Sequence, residues 1–399
     1  MPQPTQRIAI IGAGPIGLEA AVFARRRGFD VTVLERGYVA ENVQRWGHVR
    51  LFSPFGMNSS EWGRELLGEA QLPKLDTILT GFEFADRYLI PLSEHDLLKG
   101  CVREFVAVQA IGRRDLWKGD LIGKSARSES PFQLLVMSVE SEKESLIAAD
   151  VVLDCSGTYG QHNWLGAGGV PCLGERRHVD PSDYSLPEIG GRQRPQFGNR
   201  RTLVVGSGFS AATAIVALGK LAAEDSGVSA LWVTRSNSSP PISPIADDPL
   251  PERAALTEQA NRLATGRSSS IQWQPSTVVR GIKRGKSGRL RVTLDTKGQG
   301  GRVEVVDQIL ALVGYRPDRS IYEELQVHEC YASQGPIKLA AALLGETSGD
   351  CTQQRCYGAE TLKNPEPGFF ILGAKSYGRD SRFLLRVGIE QVAAVFSMI

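Results

Sequence analysis

The stretch RIAIIGAGPIGLEAAVFARRRGFDVTVLER, residues 7–36, decides how the rest of the chain is read. Ile8-Ala9-Ile10-Ile11 is an apolar run of the length of one buried strand. Gly12-Ala13-Gly14-Pro15-Ile16-Gly17 follows at once, and then a helix-period segment with Leu18, Ala21 and Val22 on its inner face. Arg25, Arg26 and Arg27 fill the last turn, where cations suit the helix dipole, and Gly28 closes it. A second apolar strand, residues 31–34, runs into Glu35 and Arg36. Each glycine answers a physical need. Gly12 permits the tight strand-to-helix turn, Gly14 lets the backbone approach a pyrophosphate, and Gly17 lets helix and strand pack closely. Phosphates would then lie on the N–H groups and positive end of the helix that Pro15 begins. Glu35 stands about twenty residues on, where a carboxylate can accept the hydroxyls of an adenosine ribose.

The same unit recurs some two hundred residues later, a judgement of spacing that argues for two nucleotide-binding domains and against a short-period repeat. Thr202-Leu203-Val204-Val205 is a strand, and Gly206-Ser207-Gly208-Phe209-Ser210-Ala211 is the turn, with Ala211 in the third glycine place. An Ala-rich helix over 211–223 and a strand over 230–234 complete it. Where the first unit has Glu35, this one has Arg235 and Ser236. A cation there suits a ribose 2′-phosphate, so NADPH is expected over NADH.

Composition sets the bounds. With 399 residues the chain has room for two domains, and 42% hydrophobic with 23% charged residues is ordinary for a globular protein. A formal net charge of +2 gives no electrostatic reason to expect nucleic acid or an anionic membrane as partner. No apolar run has spanning length, the leading MPQPTQ is no signal peptide, and six scattered cysteines are no disulfide framework. A cytoplasmic protein is expected. Five scattered histidines show no ligand spacing, so no metal site is expected.

Between the units, a helix is expected from Ser59 or Ser60 to Leu67, and another from an N-cap at Ser93 towards Val106, with His95 a solvated first-turn residue. Residues 107–150 read as an antiparallel excursion with its clearest strand over 132–139, and 151–155 as a buried strand ending in Ser156-Gly157-Thr158. Beyond the second turn come a Pro/Ser-rich loop over 236–251 carrying Asp247-Asp248, a helix near 254–263, and strands near 278–283, 290–294 and 303–311. The loop is longer than a simple connection needs, and its two carboxylates read as a solvated turn. A strand over 368–374 and a helix over 383–397 end the chain.

Gly12–Gly17 with Glu35, Ser156-Gly157-Thr158, Gly206–Ala211 with Arg235, Gly314-Tyr315-Arg316-Pro317-Asp318 and Ile371-Leu372-Gly373-Ala374 fall in an order that resembles the two-dinucleotide-binding-domain flavoproteins over nearly the whole chain. The resemblance implies an α/β fold of two Rossmann-like three-layer domains, an NAD(P)H domain inserted into a split FAD domain. The expected boundaries are 1–157 and 313–399 for the FAD domain and 158–312 for the NAD(P)H domain. It implies FAD and NADPH as cofactors, held at the two glycine turns, Trp46, the strand ends at Gly157 and at Gly314-Tyr315, and Gly373-Ala374, which resembles the strand delivering backbone to a ribityl chain. Within that group Trp46…Leu51-Phe52-Ser53-Pro54 and Gly157-Thr158-Tyr159…Pro171…Gly174 look most like the flavin-dependent monooxygenases. Val43-Gln44 replace that family's Gly-Gly pair, and Phe52 takes the place of the asparagine that supports the oxygenated flavin, with Asn58 as a substitute. The Baeyer–Villiger fingerprint is absent, although His178 lies in its region.

The leading expectation is an FAD enzyme that oxidises NADPH and acts as a monooxygenase on a small soluble molecule; the alternatives are a reductase of a disulfide, quinone or other acceptor, and a nucleotide-binding redox sensor. Trp46, Phe52, Phe55 and Trp62 could wall a dry oxygenating pocket, or could be core. For disulfide reduction the family places cysteines just after the first unit, and residues 36–60 hold none. Cys351 and Cys356 are a distant second choice for a redox pair, and Cys155 reads as a small apolar residue. Lys338, Lys375, Arg379 and Arg382 would suit a carboxylate or phosphate of a substrate, although each alone is expected to be a solvated charge. Tyr377 is the catalytic candidate beside them. A homodimer is possible, and the sequence names neither substrate nor acceptor.

Overall fold

The computed structural model describes residues 5–266, 269–346, 352 and 354–399. Two compact units emerge: the chain up to Gln161 together with Arg316–Ile399, and His162–Tyr315.

The first unit is built on a five-stranded parallel sheet in the order Phe369–Ile371, Val151–Asp154, Arg7–Ile11, Asp30–Leu34, Val102–Arg103. The alternation of side chains along a strand explains its three layers. Ile8 and Ile10 face the helices Pro15–Arg26 and Leu385–Val395, in a core with Val22, Val387, Val392 and Phe396. Ala9 and Ile11 face a three-stranded antiparallel sheet, Val106–Arg113, Phe132–Ser138 and Glu144–Ala149, through Ile111, Phe132, Leu134 and Val136. Each fully buried aliphatic side chain of these layers contributes roughly 1.5–3 kcal/mol. Pairing is in step: Ile11 lies beside Leu34 on one side and Asp154 on the other, and Asp154 beside Ile371. Four strands therefore end together on one edge. The connections diverge between Arg7–Ile11 and Val151–Asp154, which makes the gap there the topological switch point.

The second unit repeats the plan. Its parallel sheet runs Ile271–Gln274, Ser229–Val233, Arg201–Val205, Gln308–Ala311. Val204, Trp232 and Leu310 face the helices Phe209–Glu224 and Pro251–Thr265. Leu203, Val205, Leu231, Val233 and Ile309 face an antiparallel sheet of Thr277–Arg284, Leu290–Thr296 and Gly300–Val306.

Two expected elements differ. The helix from Ser93 to Val106 does not form: the helix Ile90–Glu94 stops at His95, and Gly100, at φ +78°, turns the chain outward. Val102 instead pairs with Val33, so the open edge of the sheet overrides a helix-like spacing. The strand over 303–311 is two, because Asp307 breaks it; its carboxylate accepts from the Arg201 N–H and from Arg289. Among the described residues no helix is long and apolar enough to cross a membrane.

Candidate functional site

The first glycine turn leaves the sheet at the switch point. Gly12 has φ +96°, a conformation that suits glycine, and a Cβ there would lie 2.9 Å from the Cys155 carbonyl oxygen. A Cβ on Gly17 would overlap the Gly12 carbonyl, so helix and turn are in backbone contact. Gly14 is different: nothing lies within 4 Å of its Cβ direction. It is the N-cap of the helix that begins at Pro15 and offers no capping side chain. The first-turn N–H groups have no intrahelical acceptors, and the Cβ side of the N-cap beside them at the positive helix end is open. An arrangement of this kind can cradle the phosphates of a dinucleotide.

Glu35 is fixed in this cradle. Its carboxylate accepts from the Ala13 N–H at 2.8 Å and the Gly37 N–H at 2.9 Å, which uses two of its roughly four acceptor positions. Arg36 beside it is exposed. Ala40 donates to the Ala13 carbonyl and so ties the following helix, Glu41–Arg45, to the turn. Trp46 caps that helix, packs on Gly81, and buries an indole N–H that has no partner. A buried donor without an acceptor is the kind of group a bound ligand satisfies.

Opposite, the strand Val151–Asp154 ends in a buried ion pair that sequence reading missed. Lys375 Nζ lies 2.6 Å from Asp154 Oδ2 and 3.0 Å from Ser156 Oγ, and both charged side chains are fully buried. Ser156 donates its hydroxyl and backbone N–H to Asp154 Oδ1. The ammonium also lies 5.1 Å from the Tyr322 ring centroid. Lys375 is therefore no solvated charge but the pin that joins the segment after Phe369–Ile371 to the Ser156-Gly157 turn. Gly157, at φ +68°, again has open space beside it. Gly373, at φ +72°, donates its N–H to Gln391 Oε1, and Ala374 is half-buried next to it.

The second unit carries the other turn. A Cβ on Gly206 would overlap the Leu312 carbonyl, whereas Gly208, the uncapped N-cap of Phe209–Glu224, has open space. Ser210 is exposed and Ala211 fully buried. Trp232, buried in the next strand, donates its indole N–H to the Gly206 carbonyl at 2.8 Å and steadies the turn. Arg235 is exposed just beyond that strand, next to Ser236 and Ser238, whose hydroxyls lie 2.6 Å apart. Gly314 and Tyr315 are held by Asn163, whose amide donates to the carbonyls of Val313 and Tyr315, and Tyr315 donates its hydroxyl to the Tyr184 carbonyl. Asp248 of the Pro/Ser-rich loop is not solvated: it pairs with Arg253 at 2.6 Å with both side chains buried.

The catalytic candidates are not brought together with a common free polar face. Asn58 is buried, and its amide both accepts from the Ser53 hydroxyl and donates to the Ser53 carbonyl, closing the turn that Phe52 precedes. Phe52 itself is half-buried. Phe55 is core, edge-on to Tyr88, and Trp62 packs on Phe23 under Arg26 and Arg27. Tyr377 is 1% exposed, edge-on to Phe383, and burial pushes its hydroxyl pKa upward. Five described cysteines are free thiols. Burial raises Cys101 and Cys155, lifts Cys172 to about 12 and Cys356 to about 11. Cys330 alone among them is lowered, by the Ser333 N–H, the Ser333 hydroxyl and the Ala332 N–H. Cys351 lies outside the described residues.

Residues 9–89 match the family model described as pyridine nucleotide-disulphide oxidoreductase. Comparison with curated proteins gives no match. Among solved structures, the chain is similar to a bacillithiol disulfide reductase from Bacillus cereus, at 17% identity and a TM-score of 0.71 over 99% of this chain and 98% of that one. It is similar also to a cadaverine monooxygenase of desferrioxamine biosynthesis from Erwinia amylovora, at 15% identity and a TM-score of 0.62 over 99% and 92%. A third is an ornithine N-hydroxylase from a Kutzneria species, at 16% identity and a TM-score of 0.61 over 99% of both chains. With two glycine turns on two Rossmann-like units and the second unit inserted into the first, the chain has the fold of the two-dinucleotide-binding-domain flavoproteins.

Proposed function

We propose that the protein is an FAD-dependent oxidoreductase that takes hydride from NADPH and passes the electron pair to a small-molecule acceptor. FAD would lie in the first unit, with its pyrophosphate on the Gly12–Gly17 turn, its adenosine ribose at Glu35, and its flavin half towards Ser156-Gly157 and Gly373-Ala374. NADPH would lie in the second, with its pyrophosphate at Gly206–Ala211 and its 2′-phosphate at Arg235 and the serines beside it. Bound FAD supplies the two-electron redox chemistry; the chain's residues bind, orient and shield it.

The observation that carries the choice of reductase over monooxygenase is the state of Asn58. Its donor and acceptor are both engaged by Ser53. Phe52 offers no polar group in the asparagine's place, and Phe55 and Trp62 serve the core rather than a pocket wall. A protected oxygenated flavin therefore lacks its expected support here. Purified protein should be yellow and should bleach with NADPH under anaerobic conditions. On admitting air it should reoxidise directly with peroxide release, and a panel of disulfides and quinones should reoxidise it without oxygen. A long-lived oxygenated species, or product carrying an oxygen atom from O₂, would return the assignment to monooxygenation. Colourless protein that NADPH leaves unchanged would point to a sensor.

A further inference from the structure

The antiparallel sheet of the first unit carries an apolar tip that neither dinucleotide uses. Between the strands Val106–Arg113 and Phe132–Ser138 the chain makes an excursion through Leu116-Trp117-Lys118-Gly119-Asp120-Leu121-Ile122-Gly123-Lys124. Trp117 is 80% exposed, Ile122 70% and Leu121 40%. Large apolar side chains gathered so closely in the chain and turned to solvent add nothing to the core, and such patches mark contact surfaces.

The excursion is not slack chain. It makes two successive turns, in which the Asp120 N–H donates to the Trp117 carbonyl at 3.1 Å and the Lys124 N–H to the Leu121 carbonyl at 3.0 Å. Both are pinned by Arg127, which is fully buried and paired with Glu366 at 2.9 Å. Its guanidinium donates to the carbonyls of Trp117 at 3.0 Å and Asp120 at 2.9 Å, and its N–H to the Lys124 carbonyl at 3.2 Å. The Gln326 amide adds bonds to the carbonyls of Lys118 at 2.7 Å and Asp120 at 2.9 Å. The carboxylate within the tip, Asp120, is engaged by the Trp117 N–H at 2.8 Å.

These bonds bear on what the tip can meet. A protein partner can complete backbone hydrogen bonds across an interface, whereas lipid cannot, so a segment entering lipid must carry its own. The carbonyls of Trp117, Lys118 and Asp120 and the N–H groups of Trp117 and Asp120 are already satisfied within the chain. An indole beside aliphatic chains is also the composition of a membrane-interface anchor. Lys118 and Lys124, both exposed, are interleaved with the apolar residues and complement phosphate headgroups. Lys118 donates to the Glu323 carbonyl, which uses one of its three N–H donors. The net charge of +2 describes the whole chain; this pairing of apolar tip and ammonium groups is local.

We propose that the tip from Leu116 to Lys124 seats the protein on the surface of an anionic phospholipid bilayer. Trp117, Leu121 and Ile122 enter the headgroup region, and Lys118 and Lys124 meet the phosphates. The attachment is peripheral, since among the described residues no helix is long and apolar enough to cross a membrane. Docking of this kind is independent of the redox chemistry.

The test is flotation of the full-length purified protein with vesicles of phosphatidylcholine containing one quarter phosphatidylglycerol, at physiological ionic strength. Wild-type protein should float with the vesicles. The partition coefficient should fall at least ten-fold in Trp117→Ser/Ile122→Ser and at least three-fold in Lys118→Gln/Lys124→Gln. Leu344→Ser, which removes a 69% exposed apolar side chain from the helix Ile337–Leu344, should leave it unchanged. Unaltered melting temperatures show that the losses are not unfolding. As a second readout, brominated lipid should quench a part of the tryptophan emission that is missing in Trp117→Phe. Absence of flotation overturns the proposal, as does equal loss in Leu344→Ser or undiminished partition in either double variant. So does wild-type protein that stays off the vesicles but forms a dimer abolished by Trp117→Ser/Ile122→Ser, which gives the tip to a second copy.

Discussion

Replacing Lys375 by methionine isolates the buried pair beneath the Ser156-Gly157 turn. The substitution keeps most of the side-chain volume and removes the ammonium, so Asp154 is left fully buried with only the Ser156 hydroxyl and N–H as donors. Removing one member of a buried pair costs about 3–5 kcal/mol, since the remaining charge is uncompensated. Adding Asp154→Asn discharges the site, and the remaining loss approaches that of ordinary hydrogen bonds, about 0.5–1.5 kcal/mol each. The double variant should therefore be more stable than Lys375→Met alone, with a coupling of about 2 kcal/mol or more. Equilibrium urea unfolding of flavin-stripped protein measures this, and FAD titration of the same samples reports the turn itself. Affinity should fall in both variants, since each loosens Ser156-Gly157 from the Gly373–Tyr377 segment. A single variant within 1 kcal/mol of wild type, taken as the order of a surface substitution, or a double variant whose loss is the sum of the singles, would refute the reasoning.

Gly14→Ala should leave the melting temperature of flavin-free protein nearly unchanged but weaken FAD at least ten-fold, because its new methyl points into the open space proposed for the phosphates; Gly17→Ala, which strikes the Gly12 carbonyl, should lose about 1–3 kcal/mol of stability, read by calorimetry. Arg235→Glu should raise the KM for NADPH far more than that for NADH in steady-state assays, and equal changes would remove Arg235 from its assigned place. Glu366 is buried between Arg113 and Arg127. Burial pushes its carboxyl pKa up, but Arg127, the Gln326 N–H and Arg113 more than offset this and leave it below the ordinary value. A depressed carboxylate contributes stability above its unfolded value of about 4.3 and loses it as pH falls through the folded value, so thermal unfolding should show a decline below about pH 4 that Glu366→Gln flattens.

What could be read from the sequence was local in the chain. Each glycine turn is six residues whose demands are met by immediate neighbours, so strand, turn, helix and acid were legible at residues 7–36, and so was the repeat at 202–235. The fold class follows from those two units and the apolar strands around them. Lys375 was opaque because its partner is 221 residues away; a lysine after an apolar strand carries no mark of the aspartate it will meet. Asn58 was opaque for the opposite reason. Its partner Ser53 is five residues off, but the bond depends on the short helix Phe55–Asn58 folding back, which no periodicity announces. Val102 was misread because helix spacing cannot see the free edge of a sheet that is waiting for it.

The two glycine turns have the same shape but are stiffened by different means, and this bears on how each could change its ligand. In the first, Glu35 accepts from the Ala13 N–H, so the residue in place to meet a ribose also holds the turn. Any substitution that alters the ribose contact loosens the phosphate cradle as well, and the two effects cannot be separated by mutation at that position. In the second, the turn is held by the Trp232 indole on the Gly206 carbonyl, from within the core. Arg235 has no part in that bond and stands exposed beyond the strand. With Arg235 at the coenzyme's 2′-phosphate as proposed, coenzyme choice would be free to vary without disturbing the turn, whereas a ligand meeting Glu35 would be tied to the architecture that holds it. On the proposed placement, the electron donor could be exchanged by a surface substitution, whereas exchanging the cofactor at Glu35 would require the turn to be remade.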